Sequence, residues 1–162
     1  MRMVTFTPLL VVGSLMGSFG MAQADGSVAE CNKAIVRASF DAWRAGTGSP
    51  FELLAEDATW TITGNSAAAG SYAGKEAFLS EVIRPFNARM SVGLKPAIQG
   101  IYADGDTVIV LFDASGTARD GRTYANSYAW FLDMQSGLIV RARAFFDSIA
   151  FDDLWARVKP GP

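Results

Sequence analysis

The chain has 162 residues, a net charge of −2 and no basic stripe, so it has room for one domain and lacks the charge pattern that a nucleic-acid partner needs. It contains no histidine and a single cysteine, Cys31. These counts exclude Ser-His-Asp and Cys-His triads, histidine or Cys-rich metal sites and an intrachain disulfide, and no metal or cofactor is expected.

Arg2 starts the chain with positive charge, Pro8 to Met21 is an uncharged apolar run, and Ala22-Gln23-Ala24 reads as an A-x-A cleavage site before Asp25. This is the layout of a secretory signal peptide, and the apolar run is short for a membrane span. Residues 1–24 are read as a cleaved signal peptide and 25–162 as a single mature domain, periplasmic or secreted, with no stable membrane insertion. The alternative is an uncleaved N-terminal anchor. Ser27 and Glu30 fit a capping box that opens a helix over about 28–45, ended by Gly46. Cys31 falls on that helix's apolar stripe and is read as an inert core thiol. Ser49-Pro50 starts a short helix at Phe51 to Ala55.

Residues 58–63 alternate and favour a strand, 64–74 read as a small-residue loop carrying Tyr72, and Lys75 to Arg84 reads as a helix stopped by Pro85. Four strand-like runs follow, at about 91–103, 106–118, 123–134 and 138–147, separated by Asp104-Gly105, Asp120-Gly121 and Ser136-Gly137. A last helix is expected over about 149–158. Helices followed by an antiparallel meander predict an α+β fold, a cone in which the helices pack on a strongly curved, mostly antiparallel sheet and leave an internal cavity.

Several segments carry a resemblance. They are Phe40-Asp41-Ala42-Trp43, Ala55-Glu56-Asp57-Ala58-Thr59-Trp60, Tyr72 to Phe78, Asp120 to Tyr128, and Phe145-Phe146-Asp147 with Phe151. Through them the chain resembles SnoaL-like, ketosteroid-isomerase-related members of the nuclear transport factor 2-like superfamily. The resemblance implies that the positions of Asp147, Asn126, Tyr128 and Asp113 face a cavity, and that two copies pair through the outer sheet face. It covers nearly all of the mature part.

Asp147 is the first candidate for chemistry. A carboxylate in a poorly hydrated aromatic cavity has a raised pKa and acts as a general acid or base near neutral pH. The competing role is an N-cap for the last helix. Asp113, in an otherwise apolar strand, is either a second cavity carboxylate or a residue at a solvated strand end. Asn126 and Tyr128 are candidates to hydrogen-bond a ligand carbonyl or oxyanion, or else a satisfied buried pair. Trp60 and Trp130 are cavity walls or ordinary core, and Tyr72 is a gate at the mouth. The Arg-x-Asp element of limonene-epoxide-hydrolase-like relatives falls on Leu111-Phe112-Asp113, and their water-holding Tyr and Asn fall on Trp60 and Ile62. Epoxide hydrolysis by that route is therefore not expected. Two functions stay open: a cofactor-independent isomerase-, lyase- or hydrolase-type enzyme acting on a small apolar carbonyl or polycyclic compound, or a non-catalytic module that binds a small hydrophobic molecule or dimerises.

Overall fold

The computed structural model describes residues 19–161. Helix α1 (Phe19–Ala45) buries Asn32, Val36 and Phe40, a stripe at i, i+4 and i+8. It ends in a Schellman motif: Thr47 N–H donates to Ala42 C=O at 2.9 Å, Gly46 N–H donates to Trp43 C=O at 3.0 Å, and Gly46 has φ +75. Two expectations for α1 change. The helix runs through Ser27 without a break, so the capping box does not start it, and residues 1–18 of the expected signal peptide lie outside the described residues. Cys31 is exposed, because the helix turns the stripe through Asn32 toward the sheet and leaves its neighbour outside.

A 3-10 turn, Pro50–Leu53, follows, with the Ser49 hydroxyl accepting from Phe51 N–H at 3.1 Å. Strand β1 (Leu54–Ile62) then pairs with β2 (Gly70–Ala73), a short strand where a loop was expected. Helix α2 (Lys75–Phe78) passes through a π-turn, Leu79–Ile83, into α3 (Arg84–Asn87). The rod therefore continues past Pro85 rather than stopping there. Proline has no N–H and its ring crowds the carbonyl four residues back; a widened turn, closed by Arg84 N–H on Leu79 C=O, relieves both problems.

The meander matches its expected positions: β3 (Met90–Asp104), β4 (Thr107–Ala118), β5 (Thr123–Gln135) and β6 (Leu138–Phe146), then α4 (Ser148–Arg157). Ser136 (φ 51) and Gly137 (φ 79) supply the two positive φ values that a tight hairpin turn requires. The sheet order is β2-β1-β6-β5-β4-β3, with only β1 and β6 parallel among paired neighbours. Three register shifts along β3, at 90–92, 92–95 and 98–100, bend that strand. Gly116 of β4 is required at the bend, since a Cβ there would meet Val92 C=O at 2.6 Å. The concave face carries a core that includes Trp60, Phe112, Trp130 and Leu132, and the helices cover it.

Candidate functional site

Alternation on β5 turns Tyr124, Asn126, Tyr128 and Trp130 toward the helices, where all but half-buried Tyr128 are buried, and leaves Thr123, Ala125 and Ser127 exposed. Between this face and the helices lies a cavity of about 520 Å³, within the size range of small-molecule sites. Its walls come from separate elements: Trp43 of α1, Phe51 of the 3-10 turn, Trp60 of β1, Phe78 of α2 and Trp130 of β5. Trp60 stacks on Phe78 at 4.4 Å and 10°, Trp43 on Trp130 at 6.1 Å and 13°, and Trp60 meets Trp130 edge-on at 5.0 Å and 89°. No Asp or Glu lines the cavity among the described residues, and Lys95 is the one charged side chain that borders it.

Tyr128 brings a polar group to this apolar space. Its hydroxyl lies 3.1 Å from that of Tyr124. The Asn126 amide donates to the Tyr124 oxygen at 2.9 Å and to Asp147 C=O at 2.9 Å, and its own oxygen accepts from Asp147 N–H at 2.9 Å. Burial pushes the Tyr128 phenol well above its ordinary 10.0. Burial likewise raises Tyr124. Both phenols therefore keep their protons at neutral pH.

The residues expected at the site divide between two places. Trp60, Tyr128 and Trp130 line the cavity. Asp113, Asn126 and Asp147 border a separate open groove of about 470 Å³, together with Lys95 and Ser127. The carboxylates of Asp113 and Asp147 are thus not in the aromatic cavity. Asp113 shares strand parity with exposed Leu111, and its oxygens accept from Ser127 at 2.6 Å and Gln99 at 3.0 Å. Asp147 shares parity with exposed Phe145 and Arg143, and its carboxylate caps α4, accepting from Ile149 N–H at 2.9 Å and Ala150 N–H at 3.5 Å. Tyr72 does not gate the cavity. It sits on β2, packs 5.9 Å from Phe78 and donates to Ala68 C=O at 2.8 Å. Sequence reasoning left out Tyr124 as a site residue, although it stands two positions before Asn126 on the same face.

The Asp147 cap gives a direct prediction. Asparagine caps as well as aspartate, so Asp147→Asn should leave stability within about 0.5 kcal/mol, whereas Asp147→Ala should cost about 1 kcal/mol in urea unfolding. Equal losses in both variants would mean that the carboxylate charge, not the cap, matters.

The model of the SnoaL-like domain family matches residues 36–142. No curated protein matches the chain. Among solved structures, the chain is similar to Bal32a from a soil-derived mobile gene cassette, at 25% identity and a TM-score of 0.64 over 79% of this chain and 98% of that one. It is similar to a nuclear transport factor 2-like protein of unknown function from Burkholderia pseudomallei, at 21% identity and a TM-score of 0.64 over 77% and 97%. It is also similar to TerC co-crystallised with polyporic acid, at 20% identity and a TM-score of 0.62 over 76% and 97%.

Proposed function

Because the chain belongs to the SnoaL-like domain family, we propose that its aromatic cavity is the functional site and holds a small, largely apolar molecule against Tyr128. The observation that carries this reading is the cavity itself: about 520 Å³, walled by Trp43, Trp60, Phe78 and Trp130, with the Tyr128 phenol beside the rings. Stacked rings offer a flat apolar body large contact area, and a polar group placed among them fixes its orientation. Acetylnaphthalene, a flat aromatic ketone, should quench the tryptophan fluorescence saturably. A linear, non-saturating response would sink the proposal. Isomerase- or cyclase-type turnover in this cavity would draw on Tyr128 to polarise the bound molecule.

A second reading puts acid–base chemistry in the outer groove, and one observation favours it: Asp113 and Asp147 border that groove together with Lys95. Asp147→Asn separates the two. The cavity reading expects unchanged turnover and binding in that variant, and loss of turnover with an intact fold would move the chemistry to the groove.

We also propose that the protein is exported with residues 1–24 removed, a reading supported by the Ala22-Gln23-Ala24 site. Intact mass of exported protein should place the new N-terminus at Asp25, and an N-terminus at Met1 would refute it. A homodimer through the outer sheet face is the third proposal. Tyr102, Leu111, Phe131 and Phe145 are exposed there, Phe131 and Phe145 pack ring to ring at 5.9 Å, and a second copy would cover this apolar band. Light scattering should give twice the chain mass, and Phe131→Glu should give the monomer. A monomeric parent protein would overturn the proposal.

A further inference from the structure

The hydrogen bonds around Asn126 have a direction, and that direction reaches the cavity. A backbone N–H can only donate and a backbone C=O can only accept. Asp147 N–H therefore faces the Asn126 oxygen and Asp147 C=O faces the Asn126 nitrogen, both at 2.9 Å, and the amide cannot be flipped. Its second N–H then has one partner, the Tyr124 oxygen at 2.9 Å, which must accept.

Tyr124 is 3% exposed, and among the described residues its own proton has one acceptor within reach, the Tyr128 oxygen at 3.1 Å. The opposite arrangement, with Tyr128 donating to Tyr124, would strand the Tyr124 proton in the core, where an unmade hydrogen bond is costly. With Tyr124 donating, the proton left over is that of Tyr128, which borders the cavity.

We infer that the Asp147 backbone, Asn126 and Tyr124 form a one-way chain that presents Tyr128 as a pre-polarised donor, so the cavity selects apolar molecules bearing a hydrogen-bond acceptor: a ketone, quinone, phenolate or enolate oxygen. This inference rests on the cavity being the binding site and names the class of ligand that fits there. Each bond in such a chain strengthens the next, so the last donor is stronger than an isolated phenol. An anionic acceptor gains more than a neutral one. Asn126 is a positioning residue here, because it acts through Tyr124.

The test compares acetylnaphthalene with isopropenylnaphthalene, which replaces the carbonyl oxygen by a methylene group. Wild type should bind the ketone about three- to tenfold more tightly, the range of one net neutral hydrogen bond. Tyr128→Phe should abolish that preference without weakening the hydrocarbon. Asn126→Asp should do the same, because a carboxylate takes the Tyr124 proton and turns the chain around. The carbonyl stretch of isotope-labelled ketone should lie lowest in wild type, highest in Tyr128→Phe and between them in Tyr124→Phe, a readout that remains if Asn126→Asp fails to fold. If neither probe binds saturably, the cavity reading itself fails. If both bind equally well to wild type, or if Tyr124→Phe leaves the stretch at the wild-type frequency, the cavity reading stands and the directed chain is overturned.

Discussion

Phe40→Ala is expected to lower the unfolding free energy by about 3–5 kcal/mol, the range for emptying a buried phenylalanine site. Phe40 is 1% exposed and lies at the join between α1 and the concave face. Its ring meets Phe112 at 4.9 Å, Trp130 at 5.5 Å and Trp43 at 5.8 Å, each edge-on. Those partners are held by a helix and by two paired strands, so the space cannot close by simple collapse, and the cavity term adds to the lost transfer energy. A domain of this size is stable by about 5–15 kcal/mol in total, so the loss is a large part of what there is. Trp43 and Trp130 are also walls of the ligand cavity, and ligand affinity should fall along with stability. Urea unfolding followed by near-ultraviolet circular dichroism measures the effect. A change below about 1 kcal/mol would show that α1 does not depend on this contact for its seat on the sheet.

Ala144→Phe is expected to weaken ligand binding by more than about tenfold while leaving the fold intact. Ala144 is 2% exposed on β6, pairs across the sheet with Ile62 and Trp130, and lines the cavity. A phenyl ring there has empty space to enter, so the usual overpacking penalty of about 1–3 kcal/mol should be at its low end. The ring would project from β6 into the cavity volume that a flat ligand uses. Fluorescence titration with acetylnaphthalene measures the loss, and the unfolding midpoint checks the fold. Undiminished binding in a folded Ala144→Phe protein would place the ligand elsewhere.

Much of the architecture is readable locally. Ser136-Gly137 and Asp104-Gly105 mark hairpins because glycine takes positive φ there, and the alternation of β4 and β5 separates buried Val110, Phe112 and Ala114 from exposed Leu111 and Asp113. Strand β2 escapes because four residues, Gly70–Ala73, carry too short a pattern to stand out from a small-residue loop. Pro85 misleads because its tolerance depends on the π-turn before it, which no residue type announces. The site is legible only in part. Parity groups Asn126 with Tyr124, Tyr128 and Trp130, a set that the structure turns toward the helices, and it groups Asp147 with Arg141 and Arg143, the company of an outer face. The resemblance pointed that carboxylate inward instead. The cavity walls defeat sequence reasoning for a different reason. Trp43, Phe51, Phe78 and Trp130 lie on four separate elements, and only the packing of the helical elements on the curved sheet brings them together.

Small molecules are expected to enter the aromatic cavity rather than the carboxylate-lined groove. The chain has four tryptophans: Trp43, Trp60 and Trp130 line the cavity, and Trp155 lies outside it beneath the Arg89 guanidinium, 3.8 Å from the ring centre. One titration separates them. With acetylnaphthalene added to nitrogen-labelled protein, the indole N–H resonances of Trp43, Trp60 and Trp130 should shift saturably and together, while that of Trp155 moves least. Shifts confined to the backbone amides of Asp113, Ser127 and Asp147, with the three cavity indoles unmoved, would place the ligand in the groove instead.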